Sequence, residues 1–352
     1  MDLQAGQTSR DSAGDMENPI GVAIVTYNAS DVIAGCLDSL LESEHPNLRI
    51  VICDNASPDA TLDTIRDWAG RRGCDLFETV PGGVCAPGGT GRPGVTLLRP
   101  GVNAGFAAGV NHCLRALLAQ PDIGLFWILN PDCIVTPQAA SAYAGAAARA
   151  GRSSLMGGRT LYLEPPNRIQ SEGGRVNRWT GICSNVNHGR AIGEGAQPDP
   201  GTLDFIAGAN LVASREFIET AGLMNEDYFL YYEEVDWAFR RGNLPLRTCY
   251  EAVVYHHGGT SIGSASMNRL ASGFANYFNY RNRMWFMQRH FPAAYPVAYA
   301  YSFLKVVRLL LQGAREEAGG ALRGLNRMAP PDTVRARLGP EADRLAFGGK
   351  NA

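Results

Sequence analysis

The stretch from Phe126 to Val135 constrains the fold more than any other. Phe126-Trp127-Ile128-Leu129 is an unbroken apolar run that leads straight into Asn130-Pro131-Asp132. Apolar residues without polar alternation predict a strand covered on both faces, as in the middle of a parallel sheet. Pro131 has no N–H to give to a ladder, so the strand is expected to stop there. Asp132 then becomes a carboxylate fixed at the C-terminal end of a central strand, the edge at which open α/β sheets bind ligands. Asn-Pro-Asp is also good turn chemistry, and these residues alone do not separate a turn from a site.

The flanking sequence favours the sheet. Gly21 to Asn28 reads as a first strand running out into polar residues, and Ser30 or Asp31 could cap a helix through about Ser43. Leu48 to Cys53 is a second strand ending at Asp54-Asn55-Ala56-Ser57. Pro58 then opens a helix with Leu62, Ile65 and Trp68 on one face. Strand–helix alternation with short connections means right-handed βαβ units. Small residues between Asn103 and Asn111 let a helix N-terminus approach a ligand, or pack tightly on the sheet. Pro81 to Pro100 is rich in Gly and Pro and reads as a mobile surface loop around a short strand, Val95 to Leu98. No P-loop pattern is present. An Ala-rich helix is expected from Pro137 to Ala150, irregular structure from Ser153 to Thr202, a strand from Asp204 to Ala213 with Gly208 inside it, and a helix from Arg215 to Ala221.

Two further stretches carry chemistry. The aromatic run Tyr228 to Tyr232 leads into Glu233, Glu234, Asp236 and Trp237. Acids in a first helical turn suit the helix dipole as a solvated cap. The aromatics before them argue for burial, which raises a carboxyl pKa and makes a general base. At helical spacing Glu233 and Asp236 share a face, with Glu234 turned about 100° away. Farther on, Ala252 to Tyr255 is a strand leading to His256-His257-Gly258-Gly259-Thr260-Ser261, a histidine at a strand end and hence a candidate ligand.

A net charge of -2 over 352 residues gives no nucleic-acid footprint. The eight Cys have no zinc-like spacing and read as reduced thiols of a cytosolic protein. Between Arg281 and Arg327 eight basic residues face two acidic ones. The uncharged segment from His290 to Leu304 contains Pro292 and Pro296 and is too short to span a bilayer. Lys305, Arg308, Gln312 and Arg315 fall at helical intervals and predict a basic face, with Leu304, Val307, Leu310 and Leu311 elsewhere. Such a helix suits an anionic membrane surface or docks on the main domain.

The ordered set of motifs resembles the inverting GT-A glycosyltransferases of family 2, most closely their rhamnosyltransferase-like bacterial branch. It comprises Thr26-Tyr27-Asn28, Asp54-Asn55-x-Ser57, Asn103-x-Gly105-Phe106 with Asn111, Asn130-Pro131-Asp132, Gly208-Ala209, Glu233-Glu234-x-Asp236-Trp237 and His256-x-Gly258-Gly259-x-Ser261. The resemblance implies an α/β fold, a Rossmann-like, mostly parallel sheet flanked by helices, with a C-terminal helical appendage. It divides the chain into a tail (1–18), a catalytic domain (19–262, its nucleotide-binding half 19–135 and acceptor half 136–262), a basic helical region (263–328) and a flexible tail (329–352). Thr26, Tyr27, Asn28, Asp54, Asn55 and Ser57 would hold the base and ribose of a nucleotide sugar, with Asn103, Gly105, Phe106 and Asn130 completing that pocket. Asp132 would hold Mg²⁺ or Mn²⁺ on the diphosphate, with His256 as further ligand and His257 as its fallback. Glu233 would be the base, and Gly208, Ala209, Asp236 and Trp237 would shape the acceptor site. The implied reaction moves L-rhamnose from dTDP-rhamnose to a lipid-linked or polysaccharide acceptor at the inner face of the plasma membrane. The alternatives are a UDP-hexose donor (glucosyl, galactosyl or N-acetylglucosaminyl) and a non-catalytic sugar-nucleotide-binding protein. Asn130 stands where the wider family often has Asp, which predicts weaker metal binding. Asn225 also stands where relatives often have Asp.

Overall fold

The computed structural model describes residues 18–83, 94–151, 154–258, 270–338 and 340–347. Twelve strands alternate with the first helices: β1 (Ile20–Thr26), α1 (Ile33–Leu41), β2 (Leu48–Asp54), α2 (Thr61–Arg72), β3 (Asp75–Thr79), β4 (Gly94–Leu98), α3 (Phe106–Leu118), β5 (Leu125–Leu129), β6 (Cys133–Val135), α4 (Ala139–Ala150), β7 (Leu155–Tyr162), β8 (Ile169–Ser171), β9 (Gly174–Val176), β10 (Cys183–Asn185), β11 (Asn210–Ser214), α5 (Arg215–Ala221), α6 (Glu233–Phe239) and β12 (Arg247–His256). The C-terminal part is helical: α7 (Gly273–His290), α8 (Tyr295–Leu311), α9 (Arg315–Leu325), α10 (Asp332–Arg335) and α11 (Pro340–Phe347).

The main sheet runs β3-β4-β2-β1-β5-β11-β7-β12-β6, with β8 beside β7. Its first half is parallel, and the direction reverses where β11 joins β5 antiparallel. The apolar run of β5 therefore sits between β1 and β11, at the centre of the sheet. Successive residues of β1, β2 and β5 serve opposite cores. Val25, Cys53 and Phe126 pack with Leu114 of α3, Phe217 of α5 and Trp237 of α6. Ile24, Ile52 and Trp127 pack with Ile33 of α1, Trp68 of α2 and Tyr143 of α4. Each such side chain contributes about 1.5–3 kcal/mol on burial, which is why these strands lack polar alternation.

Register brings the chemistry to one edge. Thr26 pairs with Asp54, and Ile24 with Leu129, so the segments after β1, β2 and β5 leave the sheet together. Asn210 pairs with Leu129, and His256 with Cys133, which sets Ala209 beside Asn130 and His256 beside Asp132.

Several expectations change. β4 is an interior strand between β2 and β3, not a strand inside a surface loop. Residues 84–93 of that Gly/Pro-rich stretch lie outside the described residues, as do Gly259 and Ser261. Neither Ser30 nor Asp31 caps α1, whose N-cap is Val32 without a side-chain bond. Gly208 precedes β11 instead of lying within it. Gln312 and Gly313 end α8 before Arg315 opens α9, so Arg315 does not share a helix face with Lys305 and Arg308. The tail expected to be flexible from residue 329 contains α10 and α11, and Val334, Leu338 and Ala342 bury against Phe229, Phe274 and Phe278.

The C-terminal helices share the core of the sheet domain, with Met284, Phe286 and Ala298 in the same cluster as Trp237. Close approach of α9 to α7 depends on glycine: a Cβ on Gly320 would lie 2.1 Å from the Gly273 carbonyl oxygen, and one on Gly324 would lie 2.2 Å from that of Tyr277.

Candidate active site

Two neighbouring clefts open at the C-terminal edge of the parallel strands. The first, about 590 Å³, is lined by Asp54, Ala56, Ser57, Glu78, Thr79 and Arg99. The second, about 290 Å³, is lined by Tyr27, Asn55, Asn103, Gly105, Phe106, Asn130, Asp132, Gly208, Ala209, Glu233, Glu234 and His256, with Arg337 and Leu338 from the C-terminal segment.

The wall shared with β1 and β2 is held by one carboxylate. Asp54 accepts hydrogen bonds from the Thr26 hydroxyl (2.8 Å), the Ser57 hydroxyl (2.6 Å) and the Ser57 N–H (3.0 Å). The Asn28 N–H in turn donates to the Ser57 hydroxyl at 3.1 Å. Thr26 is fully buried, and neither it nor Asn28 lines the clefts, so both serve to place Asp54 and Ser57. Asn55 donates to the Gly105 carbonyl at 2.9 Å, tying the β2 end to the start of α3. Gly105 has φ +92°, and a Cβ there would meet the Phe229 carbonyl oxygen at 2.4 Å. This glycine lets the Phe106 N–H donate to that oxygen at 2.7 Å. Asn103 accepts from the Gly105 N–H, and Asn111 lies deeper, buried against Met224.

Asp132 and His256 meet at the β5 edge, with Asp132 Oδ1 and His256 Nε2 3.1 Å apart. Burial pushes the Asp132 carboxyl up, but the His256 contact and the Gly258 N–H, which donates to Oδ2, outweigh it and hold it below its ordinary value. Cys133 is the third group within reach of a common cation position. Burial pushes its thiol well up, so it keeps its proton, and its Sγ lies 3.5 Å from the Ala209 carbonyl oxygen. An ionised carboxylate and an imidazole nitrogen fit Mg²⁺ or Mn²⁺ when phosphate oxygens and water complete the shell. Asn130 contributes no second carboxylate; its amide stands 3.2 Å from His256 Nε2. His257 gives its backbone N–H to the Asp132 carbonyl.

The other pole of the cleft is acidic. Glu233 is 4% exposed, and its Oε2 has no hydrogen-bond partner among the described residues. Burial, reinforced by the Glu234 charge, pushes its carboxyl well above the ordinary range, and burial pushes Glu234 to about 7. Glu234 also lies against Gly208, whose neighbour Ala209 accepts the Asn130 N–H at 3.0 Å, so the two poles are linked through Gly208-Ala209.

Asp236 and Trp237, expected to shape an acceptor site, are absent from the cleft lining. Asp236 is fully buried between His290 Nε2 (2.8 Å), Arg240 Nε (2.9 Å) and Arg289 Nε (3.7 Å). Burial raises its carboxyl, but the His290 hydrogen bond and the two arginine charges outweigh that and lower it. Trp237 is equally buried, donating its indole N–H to the Gly222 carbonyl at 2.7 Å. Both anchor α6. All three acids lie in α6, and Glu233 and Glu234 line the cleft while Asp236 does not.

Sequence reasoning missed Asn282, Gln170 and Arg337. Fully buried Asn282 of α7 donates to the carbonyls of Tyr228, Leu230 and Tyr231 at 2.8, 2.6 and 2.9 Å. The run it holds has left-handed backbone at Phe229, Tyr231 and Tyr232, with φ of 62°, 69° and 71°. Gln170 bonds His256, and the Arg337 carbonyl accepts from the Tyr27 hydroxyl at 3.2 Å. Only spatial neighbours across more than fifty residues reveal these roles.

The family model for Glycosyl transferase family 2 matches residues 21–219, more than half of the chain. An N-acetylglucosaminyl-diphospho-decaprenol L-rhamnosyltransferase of Mycobacterium tuberculosis is 25% identical over 285 residues, covering 73% of this chain and 82% of the relative. A low-salt glycan biosynthesis hexosyltransferase of Haloferax volcanii is 24% identical over 188 residues, covering 52% and 57%. Among solved structures, S. aureus TarS in complex with UDP-GlcNAc superposes with a TM-score of 0.52 at 14% identity, over 93% of this chain and 87% of that one. GalNAc-T7 with UDP, GalNAc and Mn²⁺ superposes with a TM-score of 0.51 at 13% identity, over 77% and 47%. At these identities the structural likeness shows the fold.

Proposed function

Because the chain belongs to glycosyl transferase family 2, we propose that it moves L-rhamnose from dTDP-rhamnose to a lipid-linked saccharide, inverting the anomeric centre in one displacement. The observation that carries the reading is one cleft holding both the Asp132–His256 pair and the Glu233 carboxylate, whose Oε2 has no hydrogen-bond partner among the described residues. Asp54, Ser57 and Asn55 line or frame the side of the site that receives the nucleotide. Asp132 and His256 would hold a divalent cation, which when bound would neutralise charge on the departing diphosphate. Glu233 takes the proton of the acceptor hydroxyl as that oxygen attacks the anomeric carbon. The bond from that carbon to the diphosphate breaks, and its electron pair stays on the phosphate oxygen. The sugar and the lipid carrier are read from the name of the mycobacterial relative. A hexosyl donor is the second reading, favoured by the name of the archaeal relative. A lipid-linked acceptor supports reading the protein as a peripheral enzyme at the cytoplasmic face of the membrane. Among the described residues no helix is long and apolar enough to cross a membrane.

The test is transfer from dTDP-, UDP- and GDP-sugars to polyprenyl-diphosphate-linked N-acetylglucosamine. Rhamnosylated product should form with Mg²⁺ or Mn²⁺, disappear with EDTA, and fall at least about 100-fold in Asp132→Ala, the weight of one electrostatic contact to the transition state. Transfer from a UDP-sugar alone would replace the donor. Full activity without metal would remove Asp132 from the mechanism.

A further inference from the structure

Gln170 sits on β8, the short strand laid against β7, and its Oε1 lies 2.6 Å from His256 Nδ1. On the other side of the ring, the Asn130 side-chain amide nitrogen lies 3.2 Å from Nε2. A carbonyl oxygen only accepts and an amide N–H only donates. The Gln170 contact therefore requires the proton on Nδ1, which leaves Nε2 as the nitrogen that meets Asp132. We propose that Gln170 is a positioning residue for the cation site: it accepts the Nδ1–H hydrogen bond and so turns Nε2 toward Asp132. The inference rests on reading Asp132 and His256 as the cation-holding pair.

The loop after β12 is shaped around this amide. Gly258 has φ +74°, and a Cβ there would lie 2.6 Å from Gln170 Nε2. The same glycine donates its N–H to Asp132 Oδ2 at 3.2 Å. One residue thus admits the glutamine and fixes the aspartate. The outcome is a carboxylate oxygen and the imidazole Nε2 3.1 Å apart, two ligand atoms at one position. A cation at that position satisfies both. Orienting partners of this kind typically contribute 10- to 100-fold to metal affinity.

The experiment measures Mn²⁺ binding to the full chain by the electron paramagnetic resonance of free Mn²⁺, with and without UDP. Gln170→Ala should weaken Mn²⁺ binding about 10- to 100-fold. Its metal-free UDP binding and circular dichroism should match wild type. Gln170→Glu keeps an acceptor at the same place and should bind Mn²⁺ within about 3-fold of wild type or more tightly, since a carboxylate makes the ring a stronger ligand. Unchanged Mn²⁺ affinity in Gln170→Ala overturns the proposal. So does an equal loss in Gln170→Glu, which marks packing instead of proton acceptance. If wild type and Asp132→Asn alike fail to bind Mn²⁺, the cation-site reading itself falls, and the role of Gln170 falls with it.

Discussion

Glu233 differs from its acidic neighbours in what surrounds it. Asp236 is held ionised by a hydrogen bond to His290 and by the Arg240 and Arg289 charges, so it has no capacity to take a proton from a substrate. Glu233 faces the cleft with an oxygen that meets no donor among the described residues, and its carboxyl is pushed well up. Glu233→Gln should keep donor and metal binding by calorimetry and lower turnover by roughly 10²–10⁴. The ionised base fills only as pH climbs past the range of an ordinary carboxylate, about 4.3, so turnover in wild type should still be rising with pH well above that value. The stability effect has the opposite sense. The unfolded chain releases the Glu233 proton at the ordinary pKa and the folded chain only at the raised one. The stability contributed is therefore complete below the unfolded pKa and lost as pH rises through the folded pKa. Glu233→Gln should accordingly melt higher than wild type at pH 8 and no higher at pH 4. Wild-type turnover in Glu233→Gln would move the base to Glu234.

At the scale of elements, the segment before α6 is held by α7. Three non-glycine residues in left-handed backbone cost of order 1–3 kcal/mol each, and they persist only where neighbours over-determine them. Asn282 does so by sharing its two amide N–H groups among three carbonyls. Asn282→Ala should lower unfolding free energy by about 2 kcal/mol, about one for each N–H lost, and lower kcat more than it weakens donor binding. Denaturant titration beside single-turnover kinetics checks this; unchanged kcat in a destabilised protein would detach the segment from catalysis. The sequence reading could not reach Asn282, because its partners lie more than fifty residues upstream. What was legible were long apolar runs and motif residues at their ends: β1, β2 and β5, and with them Asp54 and Asp132. Short strands such as β6 and β8 carry too few residues for a period, and pairing alone defines them. Asp236 was misread for the same reason as Asn282: His290 on α7 fixes its orientation, and spacing within α6 does not show that.

For the whole molecule, α8 is turned inside out. Ala298, Ser302 and Val306 face the protein, with Ser302 accepting from Arg283 at 3.1 Å. Val297, Phe303, Leu304, Leu310 and Leu311 face outward with exposures of 45, 44, 66, 51 and 84%. An apolar stripe of this length on a folded surface marks an interface. Lys305 and Arg308 stand at its edge, in a region where basic residues outnumber acidic ones eight to two. Apolar residues bordered by cations match the boundary between acyl chains and anionic headgroups, and the proposed acceptor lies in that plane. On the proposed peripheral reading, the apolar face, not the basic one expected from sequence, would enter the membrane. Binding to vesicles of anionic lipid should weaken with salt but persist in part at high salt, because screening removes only the charge contribution. Leu304→Glu combined with Leu311→Glu should abolish the salt-resistant part and slow transfer to acceptor in vesicles, leaving transfer to a short-chain soluble acceptor unchanged. Lys305→Glu with Arg308→Glu should remove the salt-sensitive part, about 1 kcal/mol for each cation lost. Vesicle flotation of the two double variants decides between lipid and protein as the occupant of the stripe. If both float like wild type while the leucine variant breaks up a dimer in solution, α8 meets a second copy of the chain and the membrane reading fails.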